Sequence, residues 1–121
     1  MRSIIGMLLL AASSTALADD LQTVWLEASS KVSVASGKAL TCDVGISTDA
    51  IGDCRGFADY MRKNWRKISD LSDKIGAYTA QQIEAKVPRV DFERYSDQMK
   101  TIARVSAEYK EASQSEAAVS K

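Results

Sequence analysis

Two cysteines, Cys42 and Cys54, are the only thiols in a 121-residue chain that contains no histidine. Thiols twelve residues apart could hold a metal, exchange disulfides or pair with each other. A zinc shell needs four ligands, and two thiols without imidazole cannot complete it. A redox-active pair more often takes the C-x-x-C form, with one thiol acidified at a helix start. In a chain bound for an oxidising space, two nearby cysteines read as a structural disulfide.

The missing histidine removes Ser-His-Asp and Cys-His nucleophilic machinery, imidazole metal sites and histidine-ligated haem together. No serine-lysine motif, glycine-rich phosphate loop or G-x-S-x-G elbow is present either. Carboxylates remain. Asp49 and Asp53 lie one helical turn apart, as do Glu93 and Asp97, and acid–base hydrolysis needs only two carboxyls. Such catalysis also needs a concave site that shifts one pKa, which a thin helical bundle does not offer. Asp43, Asp49 and Asp53 flank a glycine-bearing turn, but their spacing departs from an EF-hand loop and reads as turn and cap chemistry. The chain is therefore expected to be non-enzymatic, with no metal and no cofactor.

The densest charge is Arg62-Lys63-Asn64-Trp65-Arg66-Lys67, with Arg55 upstream. The pairs Arg62/Arg66 and Lys63/Lys67 repel at i,i+4, offset in part by Asp59 with Lys63 and Asp70 with Lys74. Arg55, Arg62, Lys63, Arg66 and Lys67 are the candidate partner-binding residues, a strip suited to an acidic protein or another anionic surface. An ordinary solvated helix back is the plainer reading of the same charges.

Arg2, the apolar run from Ile4 to Ala12 and the Ala16-Leu17-Ala18 site together predict a cleavable export signal over residues 1–18. No cysteine stands after the cleavage site to accept a lipid. The signal is bacterial in style, so the periplasm is the expected compartment. The chain carries 16 basic and 16 acidic residues, and loss of the signal removes only Arg2 from that balance. A near-neutral chain does not suit generic nucleic-acid binding.

Three amphipathic stripes must position these residues. Leu21, Trp25, Ala28, Val32, Ala35, Ala39 and Cys42 recur with spacings of four and three. Ile51, Cys54, Ala58, Met61, Trp65, Ile68, Ser72 and Ile75 repeat the pattern, and so do Phe92, Tyr95, Met99, Ile102, Ser106 and Tyr109. This is the seam of helices packed at shallow angles. It predicts an all-α fold: an elongated antiparallel three-helix bundle over residues 19–112, followed by a flexible polar tail at 113–121.

The first helix is expected to start near Asp19-Asp20, and links are expected near 43–50 and 88–91. The second helix is expected to run long or kinked to Val87, although Gly76 with a Thr79/Gln82 capping box offers an earlier stop. Cys42 and Cys54 then fall at one end of the first hairpin, where a bridge would lock it. Both tryptophans are expected in the core.

In size and composition the chain is similar to small helical periplasmic proteins of envelope stress and of conjugation or type IV secretion loci. That resemblance implies an accessory role through protein–protein contact, with self-association as one form of it. A small chaperone, inhibitor or immunity-type protein is the alternative, and a membrane-surface protein a lesser one. No site residue carries over from the resemblance.

Overall fold

The computed structural model describes the backbone of residues 2–120 and the side chains of residues 20–115. Among the described residues every element is helical: α1 (Arg2–Ser47), a 3-10 turn (Ile51–Cys54), α2 (Arg55–Gly76), α3 (Ala80–Lys86) and α4 (Arg89–Ser120). The expected signal stretch, residues 1–18, lies outside the described side chains. α1 is continuous from Arg2, so Asp19-Asp20 stands inside this helix and does not open it. No helix among the described residues is long and apolar enough to cross a membrane.

α1 is the element against which the others pack. Its whole expected stripe, from Leu21 to Cys42, is buried, joined by Val24 and Ser36. Most of these side chains are small, which lets neighbouring backbones approach closely. Contacts to the 3-10 turn and then along α2 advance as α1 is followed backwards: Cys42 with Cys54, Lys31 with Asn64, Glu27 with Lys67. Contacts to α4 advance together: Trp25 with Phe92 and Tyr95, then Asp43 with Arg104.

The corner between α1 and α2 is closely packed. Cys42 and Cys54 form the disulfide, with Cα atoms 4.2 Å apart and both residues fully buried. Such a bridge is compatible with an oxidising compartment. Gly45 lies under the turn: a Cβ there would come within 2.6 Å of the Ala50 carbonyl oxygen. That carbonyl accepts from the Asp53 amide at 2.9 Å, and the Ala50 amide donates to the Gly45 carbonyl at 2.7 Å. Asp49 takes the left-handed conformation with φ 59°, which a short polar side chain tolerates better than a branched one. The Ser47 and Thr48 hydroxyls donate to the Asp43 and Val44 carbonyls at 3.0 and 2.8 Å, and the Val44 carbonyl also accepts from the Thr48 amide at 3.1 Å.

The second helix stops early. α2 ends at Gly76, so the long helix to Val87 is not formed. Thr79 is extended, at φ −73° and ψ 159°, and its hydroxyl accepts from the Gln82 amide while the Gln82 side chain accepts from the Thr79 amide. This capping box begins a new helix, α3, and outcompetes continuation through a glycine. Val87 is also extended, as the residue before proline must be. The Pro88 carbonyl then accepts from the Asp91 and Phe92 amides to open α4. α4 is helical through Ser113, Gln114 and Ser115, within the stretch expected as a tail.

The α2 stripe is rotated from the expected one. Its buried members are Phe57, Ile68, Leu71 and Ile75, while Trp65 is 49% exposed. The packed seam runs Phe57, Met61, Asn64, Ile68, Leu71, Ile75, again with spacings of four and three. Asn64 occupies the place the sequence pattern gives to Trp65, one residue and about 100° away. It fits because each of its polar atoms has a partner: Lys31 donates to its Oδ1 at 3.0 Å and its Nδ2 donates to the Tyr60 carbonyl at 2.9 Å. The Tyr60 hydroxyl in turn donates to the Lys31 carbonyl at 3.2 Å. On α4 the centre of the stripe is Tyr95, Ile102 and Val105, with Phe92 at its edge. Trp25, Phe92 and Tyr95 form an aromatic cluster with centroids 5.1 to 6.5 Å apart. A Ser72–Tyr95 hydroxyl contact of 2.6 Å ties α2 to it.

Two outcomes follow from this packing. Replacing both cysteines by alanine opens a loop of about a dozen residues, and urea unfolding should lose about 3 kcal/mol with helix content retained. Ala35→Leu should destabilise by roughly 1–3 kcal/mol in the same assay, because the fully buried Ala35 leaves no room on α1.

Candidate functional site: the outer face of α2

The five cationic residues marked by the sequence all lie exposed on α2. They divide by what they touch. Arg62 pairs with Asp59 on its own helix at 3.4 Å, and Lys67 reaches across to Glu27 of α1 at 3.7 Å. Arg55, Lys63 and Arg66 have no ion-pair or hydrogen-bond partner among the described residues. Exposed pairs of the first kind contribute about 0.2–1 kcal/mol each, so the strip does little for folding. It leaves three cations free to meet an external anion.

Trp65 belongs to this surface and not to the core. On the helix it follows Arg62 by three residues and precedes Arg66, so its half-exposed ring borders the cationic strip. Trp25 is 8% exposed, in keeping with its expected core role. The signal that would have separated the two tryptophans is the Asn64 register, which polarity alone disguises.

The carboxylates that the sequence pairs by spacing, Asp49 with Asp53 and Glu93 with Asp97, are all exposed. Asp49 sits in the left-handed turn position and Asp53 in the 3-10 turn, both exposed. Glu93 is paired with Arg89 at 3.1 Å. Asp43 is drawn to α4, where Arg104 bridges it at 3.3 Å and Glu108 at 3.0 Å. Hydrogen bonding with Glu108 and Arg104 holds the Asp43 carboxyl below its ordinary value. Among the described residues no group of three Asp, Glu or Cys side chains gathers as a metal would require.

Among the described residues two grooves stand out, and the sequence reading found neither. One, of about 440 Å³, runs between α1 and α4 beside Trp25, Ser29, Ser33, Arg94 and Tyr95. The other, of about 540 Å³, lies where α3 meets α4 and is lined by Tyr78, Ile83, Val87 and Phe92, with Glu84, Arg89 and Glu93 at its rim. The α2–α3 break creates it, and the Thr79/Gln82 signature was its sequence trace. Burial holds the Tyr78 hydroxyl above its ordinary pKa, and the neighbouring Asp20 carboxylate adds to this.

The exposure difference is measurable by fluorescence quenching. In a Trp25→Phe variant the remaining Trp65 emission should be readily quenched by acrylamide. In Trp65→Phe the remaining emission should be blue-shifted and protected. Equal quenching of the two variants would contradict this placement of α2.

Compared with protein-family models, with curated proteins and with solved structures, the chain matches none.

Proposed function

We propose that this chain is exported to the periplasm, loses residues 1–18, and acts without catalysis as a helical docking subunit for another envelope protein. Accessory service to an envelope, conjugation or secretion assembly is the role this best suits. The observation that carries the reading is the exposed back of α2, where Arg55, Lys63 and Arg66 have no partner among the described residues and Trp65, next in sequence to Arg66, is half-exposed. Tryptophan and arginine supply much of the binding energy at protein interfaces, and unpaired cations add complementarity to an acidic partner. The contact directions support an up-down-up arrangement of α1, α2 and α4, with α3 as a short brace. In that arrangement the strip faces outward along α2.

A small chaperone or inhibitor is the second reading, favoured by the apolar groove beside Tyr78, Ile83 and Phe92, whose volume falls in the range of ligand pockets.

Affinity capture from periplasmic extract tests the first reading. The intact bait should begin at Asp19 by mass and retain one acidic partner. Capture should fall roughly tenfold with Lys63→Ala plus Arg66→Ala, and should weaken with salt. Undiminished capture by the double variant would remove the α2 strip from the interface. Salt-sensitive binding to anionic vesicles without a protein partner would replace the docking role with a membrane-surface one.

A further inference from the structure

The groove between α1 and α4 holds a hydrogen-bond donor that the fold leaves unused. Trp25 lines this groove and is more than nine-tenths buried, at 8% exposure. Its indole N–H has no hydrogen-bond partner among the described residues. Nor is it sealed in. Among the described residues no buried side-chain nitrogen or oxygen lacks a partner, so this N–H must reach the surface. The ring that carries it is fixed: Phe92 stacks on it at 6.0 Å and Tyr95 packs against it at 5.1 Å. Tyr95 is held in turn by the Ser72 hydroxyl. The donor therefore has a set direction before any ligand arrives, which lowers the ordering cost of binding.

The groove walls supply further polar groups in the same condition. Ser29 spends its hydroxyl on the Leu26 carbonyl. The Ser30 and Ser33 hydroxyls and the Gln98 amide have no partner among the described residues. Hydroxyl and amide side chains both donate and accept. The two charged residues of the lining, Asp91 and Arg94, face each other at 3.5 Å and cancel. The lining has no net charge, which gives neither an anion nor a cation an advantage.

We infer that this groove binds an uncharged oligosaccharide, with the Trp25 N–H donating to a sugar oxygen. A sugar ring carries hydroxyls around its rim and polarised C–H bonds on its faces. The hydroxyls match Ser30, Ser33 and Gln98, and the C–H bonds suit the aromatic surface of Trp25 and Tyr95. Peptides fit less well. An extended peptide adds to a sheet edge, which no described residue provides. An amphipathic helix needs an apolar groove, whereas serines, Gln98 and an ion pair wall this one. At about 440 Å³ the groove falls within the range of small-ligand sites. Each bond to the sugar replaces one to water, so affinity is modest, with a Kd on the order of 1 mM.

Proton–nitrogen correlation NMR on the purified protein tests this, because its two tryptophans give two indole N–H signals that Trp65→Phe assigns. The probes are the disaccharide of N-acetylglucosamine and, separately, maltose, each added to about 10 mM. With at least one of them the Trp25 signal should shift saturably while the Trp65 signal stays in place. Ser33→Ala combined with Gln98→Ala should weaken that binding about fivefold. Melting should be unchanged, since no hydrogen bond ties either side chain to the described residues. Trp25 keeps its N–H in this variant, so the same signal still reads binding. A Trp25 signal that neither sugar moves overturns the proposal, and so does an equal shift of both indoles. A shift with inorganic phosphate but with neither sugar overturns it in favour of an anion site. Affinity indifferent to the double variant removes this groove from sugar binding. None of these outcomes depends on the α2 strip having a partner.

Discussion

The small side chains on the buried face of α1 are the constraint from which the rest of this fold follows. Ala28, Ala35 and Ala39, with Val32 and Cys42 between and beyond them, are fully enclosed. Larger residues there would force α2 and α4 away from a helix that both use as their main partner. The cost is that each methylene absent from a buried position forgoes roughly 0.8 kcal/mol of burial. Close approach is obtained at the expense of core volume.

The molecule compensates at its two ends. At one end the disulfide and the corner over Gly45 fix α1 to the 3-10 turn, and Arg104 clasps Asp43 from α4. At the other, Trp25, Phe92 and Tyr95 supply the bulk that the alanines lack, with Val87 and Ile83 brought in by α3. The break at Gly76 thus has a structural use. A continuous α2 would carry Ile83 and Val87 away along the helix axis, and the turn at Tyr78 folds them back onto the core.

The features legible in the sequence were those with a single physical cause. The α1 stripe and the disulfide were readable because apolar periodicity and thiol spacing each admit one economical arrangement. The α2 register was not, because Asn64 and Trp65 reverse the usual rule. A bonded amide is packed inward and an indole is left half in water, and only the partners on α1, Lys31 and Glu27, decide between the two rotations. The end of α2 was open for a similar reason. Gly76 merely weakens a helix, and what stops it is the reciprocal bonding of Thr79 and Gln82, two signals of comparable strength to helix continuation. The strip of cations was visible as composition, but which of them lack partners depends on tertiary neighbours that composition does not contain.

Charge on the surface is distributed in a way that separates two kinds of contact. From Asp20 onward the charged residues of α1 are directed towards α2, α4 and Tyr78, so α1 itself adds no charge to its outer face. Those of α2 turn outward, and three of its cations are left unmatched. A like-charged face discourages a copy of itself and favours an unlike, acidic surface. A helix face without charges of its own offers little to steer a charged partner. Both consequences come from one helix pairing, because the α1–α2 seam sends Lys31 and Glu27 towards Asn64 and Lys67. It thereby clears the back of α1 and turns Trp65, Lys63 and Arg66 to the outside.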